Sequence, residues 1–348
     1  MTEDDDKVKS TRFVRAVIYL ALGAGGLIGA LGGVAPAHAE PIDITATLRP
    51  FNPDAPLQTG QGHLIYRGGL ELRASLKEFG GFSAAHISAD GRALLALSDT
   101  GSWFSATLRY DQTGRLGGIE QARLAPMTRP PGKGRFDPEG LVIDADGALI
   151  VSTERKHRVL RYDNPAGALD ADRLARLAPR VLDVPEGFAT LESNAGIETL
   201  VRLSDGRLLA IEEGREDAGD ALSRAWLIPS TGASATLSLK RSANFRPTDA
   251  ALLPNGDVLL LERRYTEIGG VAARLRVIEG DTIKPGAVLD GTIIATLIPP
   301  VTIDNMEALA LFEREGTLHL LMMSDDNFNT GLQRTLLLHF VLKPAVPK

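Results

Sequence analysis

DPEGLVIDADGALIVSTER, residues 137–155, holds an acid, an apolar run, an Asp-Gly turn, a second apolar run and a closing acid. Asp-Gly between two apolar runs predicts a tight hairpin, because such a turn needs the positive φ that glycine tolerates. The pattern recurs as FSAAHISADGRALLALSDTG (82–101), NAGIETLVRLSDGRLLAIEEG (194–214), RPTDAALLPNGDVLLLERRY (246–265) and DNMEALALFEREGTLHLLMMSDDNFN (304–329). The turn glycines Gly91, Gly147, Gly206, Gly256 and Gly316 stand 50 to 60 residues apart. Further strand-like pieces follow most hairpins, at 105–110, 158–162, 225–228 and 273–278. A hairpin plus one or two more strands at this spacing predicts an all-β β-propeller, whose blades bury their faces only by stacking around an axis. A β-sandwich with regular turns would give no reason for an acid to recur at both ends of each hairpin.

The stretch 42–75 has strand-like runs without the full pattern and reads as one more blade, closed by the final strand Thr335–Leu342. The count is therefore six blades, with seven as the alternative. A short rim helix is expected over 169–177, where Leu174 and Leu177 share a face, inside a long connection.

Composition narrows the partners. At 44% hydrophobic and 24% charged, the 348 residues are able to bury a large core, which excludes wholesale disorder. The net charge of −6 argues against nucleic acid and anionic membranes as partners and favours cations. There is no cysteine, so disulfides, thiol chemistry and cysteine–zinc sites are ruled out. Lys7, Lys9, Arg12 and Arg15 precede an uncharged stretch that ends near Ala37-His38-Ala39, a small-x-small cleavage signal. Residues 1–39 are therefore expected to be a signal peptide, and 40–348 a single propeller domain. The mature protein is expected to be a periplasmic or secreted monomer with no stable membrane span.

In a propeller blade the first strand lines the channel and the second returns beside it. The residue that begins the first and the residue that ends the second should share one mouth. This pairs Ser83 with Asp99, Glu139 with Glu154, Glu198 with Glu213, Asp249 with Glu262, and Glu307 with Asp325. Nine of these ten are acids. Crowded carboxylates raise one another's pKa unless something neutralises them, and oxygen donors suit Ca²⁺ first and Mg²⁺ second. Acids at strand ends also cap turns and keep sheet edges soluble, which is the simpler account of any one of them. Arginines follow three of the second-strand acids: Arg155, Arg215, and Arg263 with Arg264. A guanidinium beside such carboxylates suits an oxyanion, or simply balances their charge. Asp325, Asn327 and Asn329 alternate as oxygen donors, but no glutamate stands where an EF-hand loop needs one.

The segments DPEGL, NAGIETL, DNMEALAL and SDDNFN resemble the bacterial phytase-like propellers of the "esterase-like activity of phytase" family, over roughly Phe82 to Leu342. The resemblance implies an exported propeller with phosphoester or ester hydrolysis. It points to Glu139, Asn194, Glu198, Glu307, Asp325, Asp326 and Asn327. Ser83 and Asp249 depart from the glutamate of the other copies. The expected function is cation-dependent hydrolysis of a small anionic ester. Glu139, Glu198, Glu307, Asp325, Asp326 and Asn327 are the expected metal residues. Glu154 or Glu213 is the expected base, and Arg155 or Arg263 the oxyanion partner. The alternatives are a non-catalytic binding or scaffold propeller with structural calcium, and a lactonase- or carboxylesterase-like propeller.

Overall fold

The computed structural model describes residues 39–131, 135–193, 195–214 and 221–343. The expected leader, apart from Ala39, lies outside the described residues. Five antiparallel-based sheets form the molecule. Their innermost strands are Phe82–Ile87, Pro138–Ile143, Ile197–Arg202, Arg246–Leu252 and Met306–Arg314, one from each sequence copy. Each is neighbour to the next, and the fifth is neighbour to the first, so the sheets close into a ring of five blades.

Packing gives the same count independently. Each blade buries both faces, which is why its second strand reads as a near-continuous apolar run such as LLAL, LIV or VLLL. The core is split into five clusters, one per seam between consecutive blades. In blade one, Leu95 and Leu97 face blade two while Leu94 and Ala96 face blade five, as the period of two requires.

The expected sixth blade does not exist. Ile44–Leu48 and Leu64–Ala74 have no inner strand of their own and instead form the outer half of blade five. Leu64–Ala74 lies antiparallel against Thr335–Leu342, from Leu64 opposite Leu342 to Leu72 opposite Thr335. The stretch reads as a separate blade because it is apolar and strand-like, yet it lacks a hairpin able to line the axis. Its partner is the other end of the chain.

The expected rim helix also shrinks. Only Ala171–Leu174 is helical, with Asp170 as N-cap accepting from the Arg173 N–H at 3.0 Å. It packs against the outer strands of blade one, with Ala171 and Leu174 buried in the seam of blades one and two. Ala39 is buried in that seam too, and its N–H donates to Asp172 Oδ1 at 3.0 Å. The ring therefore uses a residue that the cleavage signal would place at the end of the leader.

Every inner strand carries a β-bulge at the same place. Register shifts skip Ser83 in blade one, Glu198 in blade three, Thr248 in blade four and Glu307 in blade five, and fall at Glu139 and Gly140 in blade two. A bulge leaves a residue out of the ladder and re-aims its side chain.

Candidate functional site

Each blade presents three positions at one end of the ring. The first precedes the inner strand or opens it: Gly81, Asp137, Gly196, Arg246, Asn305. The second is the bulge: Ser83, Glu139, Glu198, Thr248, Glu307. The third follows the second strand, or in blade four lies within it: Asp99, Glu154, Glu213, Arg263, Asp325. A backbone hydrogen bond ties the third position to the first. Asp99 donates to Gly81 O (2.8 Å), Glu154 to Asp137 O (2.7 Å), Glu213 to Gly196 O (3.1 Å) and Asp325 to Asn305 O (2.9 Å). In blade four Arg246 and Arg263 are opposed in the ladder.

Blade two supplies acids at all three positions. One oxygen from each of Asp137, Glu139 and Glu154 lies within 4.8 Å of the others. Asp137 and Glu139 are buried and Glu154 is half-buried. Burial, then the charges of Glu198, Glu307, Glu154 and Asp137, push Glu139 well above the usual carboxylate range. Glu154 rises to about 7, chiefly from burial, although it accepts the Gly196 N–H at 3.2 Å. Arg155, in left-handed backbone at φ 59, donates to Asp137 Oδ2 from the exposed side.

Blades three and five continue the acidic arc. Glu198 is raised well above its ordinary value by burial, then by Glu213 and Glu307. Glu307 is raised by burial and held back by Arg263, whose Nε lies 3.2 Å from Oε1; Asn305 Nδ2 also donates to that oxygen at 2.8 Å. Asp325 is raised by burial and by Glu307, despite accepting the Asn327 N–H at 2.6 Å. Asp99 rises to about 6, from burial and then from Asp137.

Blade four breaks the ring. The expected pair Asp249 and Glu262 is out of place, each by one residue. Thr248 occupies the bulge, so Asp249 turns away and accepts the N–H groups of Leu309 (2.7 Å) and Ala250 (2.8 Å). Glu262 is fully buried between Arg274 (2.7 Å) and Arg276 (2.7 Å). Arg263 takes the mouth position and meets Glu213 at 2.7 Å and Asn305 Oδ1 at 3.0 Å. Burial works against its charge, yet Glu213, Glu307, Glu198 and Asp325 raise its pKa above the usual arginine value. Arg246 adds a second ion pair to Glu213 at 3.0 Å.

The structure thus brings together Glu139, Glu154, Glu198, Glu213, Arg263, Glu307 and Asp325, with Arg155 at the edge. Asp326 is buried as a latch between blades. Its Oδ1 accepts from the N–H groups of Gly81 (3.0 Å) and Phe328 (3.1 Å), and its Oδ2 from the Thr335 hydroxyl (3.0 Å). Asn327 is exposed and left-handed, at φ 48. Asn194 and Arg215 lie outside the described residues. Asp137, Arg246 and Asn305 were not among the expected site residues, since the reading began at the strand rather than two residues before the bulge.

A family model described as "Phytase-like: Esterase-like activity of phytase" matches residues 77–328. No curated protein matches the chain. Among solved structures, the chain is similar to an α-L-arabinofuranosidase from Podospora anserina in complex with cellotriose. That match has 12% identity, covers 80% of this chain and 97% of that one, and has a TM-score of 0.49. It is also similar to a gluconolactonase from Xanthomonas campestris, at 12% identity over 89% and 99% of the two chains, with a TM-score of 0.43. The family match spans most of the chain and takes in all five inner strands, and on it the chain belongs to the phytase-like, "esterase-like activity of phytase" family.

Proposed function

We propose that this protein is an exported hydrolase of phosphate or related esters that works with a divalent cation, Ca²⁺ before Mg²⁺. One observation carries the reading: a blade with acids at all three mouth positions and a blade with arginines at two of them open onto the same end of the ring. Hard carboxylate oxygens that raise one another's pKa are a donor set suited to such a cation. Asp137, Glu139 and Glu154 would hold it, with Glu198 and Glu307 alongside. The cation would offset an ester's negative charge and polarise the bond to be broken.

The chain's own groups divide the remaining work. Glu154, raised by burial to about 7 while the mouth holds no cation, would be ionised once one is bound and is then suited to take a proton from water. Glu213 has both oxygens engaged by Arg246 and Arg263, so its role is to hold those arginines. Arg263, fixed between Glu213 and Glu307, presents charge to a developing oxyanion. Export rests on the leader pattern, and among the described residues no helix is long and apolar enough to cross a membrane.

Hydrolysis of a panel of phosphomonoesters and carboxylic esters, with and without EDTA, tests the proposal. The expected result is turnover of at least one phosphoester, lost with EDTA and in Glu139→Gln and Glu198→Gln. Turnover that survives both would end the cation mechanism. A cation that raises the melting temperature while no ester is consumed would make the mouth a structural site.

A further inference from the structure

We infer that the cavity beside blade two is a separate subsite for a small amphiphilic organic anion, one with an apolar body and a phosphate or similar group. The inference rests on the ester-hydrolase reading and deepens it, since the cavity would hold an anionic and apolar part of the ester other than the phosphate cleaved at the mouth. Its volume is about 480 Å³, within the range of small-molecule sites.

Two unlike walls flank it, and it opens to solvent. The chain just after Glu154 gives Arg155, Lys156 and Arg158; the connection toward blade three gives Val184, Phe188 and Leu191. Glu186, exposed, is the one acid among its lining residues. Two guanidinium forks and one ammonium on one side, with an apolar floor on the other, match a ligand that is charged at one end and greasy at the other. Arg155 joins the two sites, because it lines the cavity and also donates to Asp137 of the acidic trio.

The cavity is held in shape by its surroundings. Phe188 packs edge-on against Trp226 at 5.0 Å, and a Cβ at Gly187 would come within 2.9 Å of Trp226 Nε1. Arg224 lies over Trp226 and donates from Nη1 to Thr190 Oγ1 at 2.8 Å, which fixes the wall from behind. His157, buried and left-handed at φ 38, lies beside the backbone of Leu191 and Glu192, between the basic wall and the apolar one. A pre-formed cavity loses little on binding.

Calorimetric titration of the protein with 2-naphthyl phosphate, in EDTA throughout, tests the inference. Inorganic phosphate and 2-naphthol serve as the two half-ligands. Saturable binding is expected, with each half-ligand weaker by roughly tenfold or more. The Lys156→Glu/Arg158→Glu double variant should lose roughly tenfold or more, and Glu139→Gln should bind like the parent. Should the charge reversals unfold the protein, Ala189→Trp fills the cavity from an exposed backbone position and must also weaken binding. Absence of saturable binding, binding unchanged in the double variant and in Ala189→Trp, 2-naphthol equal to its phosphate, or loss in Glu139→Gln would each overturn it. Because EDTA is always present, turnover indifferent to chelation would sink the mouth's cation mechanism and leave this result standing.

Discussion

Blade two and blade four are built on the same backbone, with the same bulge and the same three mouth positions, yet carry opposite chemistry there. Blade two places Asp137, Glu139 and Glu154 together, balanced only from the edge by Arg155 and Arg135. Blade four places Arg246, Thr248 and Arg263, and its own glutamate, Glu262, is buried deeper against Arg274 and Arg276. The first arrangement stores repulsion in the folded state, while the mouth arginines of the second are paired with Glu213 and Glu307 of the neighbouring blades. A fold with quasi-equivalent blades is thus able to keep one sector rigid and leave another short of positive charge. The sector left short is where a ligand gains most by binding.

The largest effect should come from breaking the compensated side. Glu262→Ala strands Arg274 as a buried charge, leaves Arg276 only the exposed Asp290, and should cost roughly 3–5 kcal/mol in denaturant unfolding. A small effect there would mean the two blades are not so different.

On the uncompensated side, Ca²⁺ at about a hundred times its dissociation constant should stabilise by about 2.7 kcal/mol. The gain should vanish in Glu139→Gln and persist in Thr248→Ala, the matching position of blade four. Equal loss in both variants would contradict the assignment of the cation to blade two.

Acidity sharpens the contrast further. In EDTA, Glu154 near 7 and Asp99 near 6 keep protons in the folded state that the unfolded chain has already released. A carboxyl with a raised folded pKa weakens the fold above that value. Stability should therefore rise as the pH is lowered from 8 toward 5, with no further gain from these groups below the ordinary carboxylate range. Thermal melts across that range should show the rise, and Glu154→Gln should flatten it.

The smallest expected change is one of sign. Without cation, Glu139→Gln should be neutral or stabilising by about 1 kcal/mol at pH 8, because it removes a buried like charge. With saturating Ca²⁺ the same variant should be less stable than the parent, as paired melts would show.

The propeller class and the mouth were legible in the five hairpins, because turn glycines and apolar runs are local signals. The blade count was not. Leu64–Ala74 looks like any strand, and its pairing with Thr335–Leu342 is a fact about the two chain ends meeting. In blade four the strand-start acid Asp249 was aligned by its charge. Counting from the turn glycine would have placed it correctly: Ser83, Glu139, Glu198 and Thr248 all stand eight residues before it, and Asp249 stands seven. Arg263 follows Gly256 by seven, as Glu154 follows Gly147 and Glu213 follows Gly206. Nothing in the sequence separates Asp326 from its neighbour Asp325; the contacts with Gly81 and Thr335 show that it also clasps two strands together.

The strand pairing that completes blade five has a consequence in time. Leu64–Ala74 is synthesised before the five hairpins and Thr335–Leu342 after them. Until the tail arrives, the string of blades stays open, and Glu307 and Asp325 have no settled position opposite Glu139. A nascent chain accordingly offers no finished cage for an ion. If the mouth takes an ion, the compartment in which Thr335–Leu342 docks decides which ions it meets first.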